Sequence, residues 1–333
     1  TSTKHATTYK AAKFLVAQSA STKRTQQKLQ YRKLGNTGVD VSLLSYGTGG
    51  PSQFGQKTGV DDAGRAALVN RAIELGVNLF DTAEAYDGAE VLLEKALRGH
   101  SRDSYLIATK WSYRLADGPV TDPAEIVRSL EQSLQRLQTD YVDIFQIHGV
   151  LEEHYDHVAD IYIPAMQKLQ EQGKTRFLGV TEMLTMDPKH EGMSVAMEKH
   201  PDVWDSVMLK YGIMNQWAAK RALPLAASSA TGILNMAPVR LTLTRPEKLQ
   251  ERMNEWGEDE GGNALDWLSN GDSAELIRKG YLFASEPPAV TTVISGTSSI
   301  AHLEANVAAL GGTLTDEEFS KLKSAYGDSA SPD

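Results

Sequence analysis

Eight short apolar runs recur along the chain, and their spacing constrains the fold more than any other feature. Val41–Tyr46, Val77–Phe80, Tyr105–Ala108, Val142–Ile147, Phe177–Val180, Ser206–Leu209, Gly232–Met236 and Thr292–Ile294 are brief and rich in β-branched and aromatic residues. Glycine or polar residues bound them. Runs of this kind read as strands buried on both faces of a parallel sheet. Their ends fall near residues 47, 81, 110, 148, 181, 211, 237 and 295. A βα pitch of roughly 30 residues repeated eight times predicts an α/β fold, a (β/α)₈ TIM barrel.

The intervening stretches carry helical signals. Asp62–Leu75 sets Leu68, Val69, Ala72 and Ile73 on one side and stops at Gly76, a suitable C′ residue. Asp122 precedes Pro123 and Glu125, which predicts an N-cap, a proline at the first helical position and a capping box. Thr315 and Glu318 repeat that device. The rival doubly wound sheet needs a glycine fingerprint after its first strand. Gly47-Thr48-Gly49-Gly50-Pro51-Ser52 ends on serine and is interrupted by proline. The final interval is long and polar between Arg240 and Gly271, and predicts a loop over the barrel mouth. The expected organisation is an N-terminal extension over 1–30, the barrel over 31–326 and a frayed tail over 327–333.

Composition narrows the function classes. With 34 Lys+Arg against 43 Asp+Glu the net charge is −9, which argues against a general nucleic-acid binder. The absence of cysteine excludes thiolate nucleophiles, Fe–S clusters and cysteine zinc sites. No apolar run is long enough for a membrane span. Residues 1–39 lack Asp and Glu but carry eight basic residues from Lys4 to Lys33. This start is read as an extension draped over the body, its Phe14-Leu15-Val16 cluster docked, with a targeting leader as the alternative. The expected location is cytoplasmic.

In a barrel the chemistry sits where strands end on the C-terminal face. Asp81, Lys110 and His148 close the second, third and fourth runs, and Tyr86 follows Asp81 by five residues. Together they describe an acid catalyst. A phenol is a weak acid, with a reference pKa near 10, and a neighbouring ammonium stabilises its phenolate. A carboxylate keeps the buried lysine charged, and an imidazole orients a substrate oxygen. Trp111, Tyr113, Phe54 and Trp217 are candidates to line a substrate pocket or to pack as core. His154 and His157, three apart, form a solvated face rather than a metal site, and no metal is expected.

These residues resemble the aldo-keto reductase family. Phe80-Asp81-Thr82-Ala83-Glu84-Ala85-Tyr86 is similar to its Asp/Tyr motif, and Tyr31–Gly38 to its opening hairpin. Leu134–His148 resembles its fourth-strand motif, and Gly173–Val180 its fifth. The resemblance covers about residues 31 to 326 and is similar to the galactose- and arabinose-dehydrogenase-like branch. It implies a nicotinamide-dependent oxidoreductase interconverting an aldehyde, ketone or sugar and an alcohol. Tyr86 would be the acid, Lys110 would tune it, Asp81 would hold Lys110, and His148 would orient the carbonyl beside Trp111.

The resemblance also implies a dinucleotide site. Gly47, Thr48, Gly49 and Asp81 would lie by the nicotinamide, with Thr181 and Glu182 at its carboxamide and Tyr211 stacked beneath the ring. Glu182 and Met208 stand where the family has Asn and Gln. Ala237, Val239 and Arg240 would approach the pyrophosphate; Gly296, Thr297, Ser298, His302 and Asn306 would hold the adenosine end. Basic residues that grip a 2′-phosphate are replaced there by Gly296, Ser298 and His302, which favours NAD(H) over NADP(H). The alternative reading is a nicotinamide-binding regulatory or redox-sensing subunit with little turnover.

Overall fold

A computed structural model describes residues 29–115, 118–256, 268, 272–326 and 330–331. Most of the extension and of the tail therefore lies outside the described residues, as does the centre of the polar stretch after Arg240. Strands β1 (Tyr31–Lys33) and β2 (Asp40–Ser42) form an antiparallel hairpin. The barrel strands are β3 (Leu44–Gly47), β4 (Leu79–Asp81), β5 (Leu106–Ser112), β8 (Val142–Val150), β9 (Thr175–Glu182), β10 (Ser206–Leu209), β11 (Gly232–Asn235) and β12 (Val290–Ser295). All pair in parallel, in the order β10-β11-β12-β3-β4-β5-β8-β9, and the ends join into a closed barrel. A small hairpin, β6 (Arg114–Leu115) and β7 (Gly118–Pro119), follows β5.

The expected first strand is in fact two. Val41 belongs to the hairpin, and the chain turns at Leu43 before entering the barrel. Leu34 and Val41 then pack with Leu79, Leu106, Ile144, Leu234 and Ile294, so the hairpin helps fill the barrel interior. Outside it, a larger cluster joins the outward residues of the strands to the helices. Period-two alternation sorts each strand between these two cores. On β5, Leu106 and Ala108 face inward, whereas Ile107 and Trp111 face the helices.

Helix Asp62–Glu74 is capped by Asp61, one residue before the expected start. Asp122 Oδ1 accepts from the Ala124 N–H at 2.9 Å, but Glu125 pairs with Arg128 instead of completing a box. The box forms at Thr315, whose N–H donates to Glu318 Oε2 at 2.9 Å while its hydroxyl accepts from the Glu318 N–H at 3.1 Å. The expected loop after Arg240 begins instead as helices Leu241–Thr244 and Pro246–Trp256. The described part of the tail is docked rather than frayed. Ser331 is buried, and its N–H donates to the Met214 carbonyl at 3.1 Å. Among the described residues no helix is long and apolar enough to cross a membrane.

Candidate active site

Inward alternation carries residues of three strands to one point. Asp81 lies two residues beyond inward Leu79, Lys110 two beyond Ala108, and His148 four beyond Ile144. Tyr86 arrives from the turn after β4, where Asp87 and Gly88 take left-handed backbone angles. Lys110 Nζ is fully buried. It lies 2.6 Å from Asp81 Oδ1, donates to the Thr82 carbonyl at 2.7 Å, and lies 3.5 Å from the Tyr86 hydroxyl. The rings of Tyr86 and His148 meet edge to face with centroids 5.8 Å apart.

Burial pulls the Lys110 ammonium down, but Asp81 and Tyr86 outweigh it and hold its pKa above the usual range. At Tyr86, by contrast, burial dominates and raises the phenol pKa against the opposing pull of Lys110. The net shift is opposite to what the lysine alone would give, and it keeps the phenol protonated. His148 is driven down to about 3 by burial and, secondarily, by the Lys110 charge. Its imidazole is therefore neutral across ordinary pH. The group can give a proton from Tyr86, stabilise the phenolate left behind, and hydrogen-bond an oxygen through His148.

Tyr86 and Asp81 border a cleft of ≈340 Å³. Gly47, Gly49, Ala237, Val239, Arg240 and Gly296, all of them candidate dinucleotide residues, line it. Its wall between β3 and β12 combines glycine backbone with the side chain of Ile294. A β-carbon on Gly296 would lie 3.0 Å from the Gly47 carbonyl oxygen, and one on Gly47 would lie 2.8 Å from Ile294 Cγ2. Ala237 adopts φ +49°, a left-handed angle unusual for a residue with a side chain. A cleft with glycine backbone in its wall, an arginine and the proton donor among its lining fits a phosphate-bearing dinucleotide.

Several expected contacts lie elsewhere. Thr48 is buried behind the wall, and its N–H and hydroxyl both donate to the Asp81 carbonyl, at 2.9 and 3.1 Å. Thr181 Oγ1 accepts the Gly149 N–H at 2.9 Å. Glu182 is sealed from solvent; its oxygens take His190 Nδ1 at 2.5 Å and the Lys210 N–H at 2.8 Å. Tyr211 stacks on Phe283 at 5.4 Å and is only 1% exposed, so it offers no open ring face. Trp111 packs edge to face on Tyr162 at 4.8 Å, in the outer core, and does not line the cleft. Phe54 and Tyr113 are buried as well. Trp217 is half-buried under Lys220 and Lys189.

At the far end, Thr297 Oγ1 is used by the Ser299 N–H at 3.1 Å, and Ser299 caps helix Ile300–Ala309 by accepting from His302 N–H. His302 is exposed and Ser298 half-buried. Asn306 Nδ2 donates to Ser295 Oγ at 2.9 Å, which also accepts from the Tyr281 hydroxyl at 2.8 Å. Sequence reasoning missed Tyr281, Met236, Thr244 and Pro51 as cleft residues. For Met236 the signal was available: it lies two beyond inward Leu234. His154 and His157 are engaged separately, with the Tyr113 hydroxyl and the Val120 carbonyl, each at 2.9 Å. The described residues hold no cluster suited to a metal ion.

Residues 44–327 match the Aldo/keto reductase family, and the chain belongs to it. It is an oxidoreductase of the kind that acts on carbonyl compounds. It is 31% identical over 293 residues to an L-galactose dehydrogenase of Arabidopsis thaliana, covering 85% of this chain and 88% of that protein. An uncharacterised oxidoreductase of Bacillus subtilis is 27% identical, with 89% and 96% covered. Among solved structures, an aldo-keto reductase from Bacillus halodurans in its holo form superposes with a TM-score of 0.70 at 24% identity, covering 89% and 96%. A putative aldo-keto reductase of Pseudomonas aeruginosa gives 0.64 at 27%, covering 86% and 96%.

Proposed function

We propose that this chain is an NAD(P)-dependent oxidoreductase that interconverts a carbonyl and an alcohol, with Tyr86 as its general acid and base. The observation that carries the reading is the buried contact of Lys110 with both Asp81 and the Tyr86 hydroxyl beside the glycine-lined cleft. When bound, the nicotinamide supplies hydride to the carbonyl carbon. Tyr86 gives its proton to the oxygen that becomes negative. Lys110 stabilises the phenolate that remains, and Asp81 keeps the lysine charged and aimed. Neutral His148 donates an N–H to the same oxygen and fixes its direction without competing as an acid.

Gly47, Gly49, Gly296 and Arg240 would hold the dinucleotide along the cleft, with NAD(H) preferred because Gly296, Ser298 and His302 supply no permanent cation for a 2′-phosphate. The likeness to an L-galactose dehydrogenase supports a sugar among the substrates. The test is a steady-state assay with NADH and NADPH, and their oxidised forms, against aldehydes, ketones and sugars. Tyr86→Phe is expected to lower kcat on the order of 10²–10⁴-fold while dinucleotide still binds. Near-wild-type turnover in that variant would overturn the assignment. Tight dinucleotide binding without turnover of any substrate would favour the regulatory reading.

A further inference from the structure

His190 is buried, lies outside the proposed proton chemistry, and has both ring nitrogens facing acceptors. Nδ1 is 2.5 Å from Glu182 Oε2, and Nε2 is 3.1 Å from Asn215 Oδ1. The orientation of the Asn215 amide is fixed by its other partners. Its Oδ1 accepts the Trp217 N–H at 3.1 Å; its Nδ2 donates to the carbonyls of Pro188 at 2.9 Å and Ser331 at 3.3 Å. A flipped amide would set donor against donor and carbonyl against carbonyl. Nε2 is therefore an N–H. The other oxygen of Glu182 is occupied by the Lys210 N–H, and the short line from Oε2 to Nδ1 needs one proton, because two lone pairs at that distance repel; the imidazole, ordinarily the stronger base of the two, is where it rests. His190 holds this position at φ +63°, a left-handed angle that costs a non-glycine residue energy.

We propose that His190 is held as an imidazolium and, paired with Glu182, acts as a proton-dependent positioning residue for the cofactor end of the barrel mouth. Glu182 ends β9. Its grip on the Lys210 N–H fixes the chain beyond β10, two residues after cleft-lining Met208. Through Asn215 the same pair fastens the loop after β10 to Ala330 and Ser331. Other charged groups surround the ring. Asp187 turns its carboxylate onto the Glu191 and Gly192 N–H groups, at 3.0 and 2.8 Å. Glu191 pairs with Arg221, Lys189 lies over the Trp217 ring, and Lys210 is buried at the end of β10.

Burial opposes the charge on His190, but Glu182, with help from Asn215 and Asp187, outweighs it and holds the pKa above the usual imidazole range. An unfolded histidine sheds its proton near pH 6.5, while the folded pair keeps it. The pair's contribution is thus complete below that value and is lost as pH rises through the folded value. Loss of the proton leaves a buried carboxylate facing a lone pair, and the ties to Lys210 and Ser331 weaken together.

The test uses the full chain labelled with ¹⁵N-histidine, the His190 signals being those absent from His190→Gln. Both ring nitrogens are expected in the protonated range from pH 6 to 8; a neutral ring with a bare nitrogen in that window overturns the proposal. Hydrogen exchange at the Lys210 and Ser331 amides should lose protection with the same alkaline midpoint, and Glu182→Gln should abolish that step. Protection that follows no such midpoint in the wild type also overturns it. The consequence for turnover rests on the dinucleotide reading: Glu182→Gln should raise the dinucleotide KM about fivefold with kcat at saturation little changed. A wild type that binds no dinucleotide would sink that reading, while the nitrogen signals would still judge the pair.

Discussion

Gly49 lies against the ring of Tyr86 so closely that a β-carbon there would stand 2.7 Å from Cε2 and 2.8 Å from Cζ. Two non-bonded carbons do not approach to that distance, so the glycine sets where the phenol rests. Gly49→Ala must push the ring away and break its 3.5 Å relation to Lys110 Nζ. Misplacement of a reacting group by about 1 Å can cost 10²-fold in rate. Turnover is expected to fall by about that factor with the melting temperature little changed. Steady-state kinetics beside a thermal melt checks this; unaltered turnover would show that the phenol need not sit there.

The Asp81–Lys110 pair should be strongly coupled, since both side chains are removed from water. Lys110→Met strands a buried carboxyl and should destabilise by about 3–5 kcal/mol. Without its cation Asp81 is left with burial, which raises its pKa. A carboxyl with a raised folded pKa stabilises below its unfolded value and loses that contribution as pH rises. The variant should accordingly become less stable from pH 4 upward. Urea unfolding of both single variants and of Asp81→Asn with Lys110→Met should show the double variant losing less than the two losses combined. Simple additivity would mean the two groups do not interact.

The barrel was legible because its strands are buried on both faces and stand out as apolar runs at a steady pitch. The same pleat explains which site residues were placed well. Asp81, Lys110 and His148 share the inward parity of Leu79, Ala108 and Ile144, and they converge. Thr48, Trp111, Glu182 and Tyr211 carry the outward parity of Tyr46, Ile107, Val180 and Leu209, and each is buried away from the cleft. Alternation, applied strictly, separates the two sets. What no periodicity could supply was Tyr281, which reaches the cleft from a helix far along the chain, or the Glu182–His190 contact, which depends on a left-handed turn at His190.

His148 gives a prediction with a definite sign. Its folded pKa is about 3, lowered by burial first and by Lys110 second. Between that value and about 6.5 the unfolded chain binds a proton there that the folded chain does not. Stability therefore rises with pH across this window and is lost as pH falls. Melting temperatures from pH 7 down to pH 4 should drop more steeply for the wild type than for His148→Gln. Parallel curves would mean that the imidazole is not kept neutral. In the same window kcat/KM should show no step that His148→Gln removes.

Cofactor preference can be moved at one exposed position. Gly296 cannot carry a cation, because a β-carbon there meets the Gly47 carbonyl oxygen at 3.0 Å. His302 is free of that constraint. It lies exposed in the first turn of helix Ile300–Ala309, with its N–H bonded to Ser299 Oγ at 3.3 Å. An arginine there keeps the cap and adds a guanidinium that can pair with a phosphate in two-pronged geometry. His302→Arg is expected to tighten NADPH about tenfold, which corresponds to about 1.4 kcal/mol, and to leave NADH within about twofold. Fluorescence titration of both dinucleotides decides the matter. If NADPH affinity does not move, or moves in step with NADH, the 2′-phosphate does not reach this turn, and Arg240, which lines the cleft, is the next position to examine.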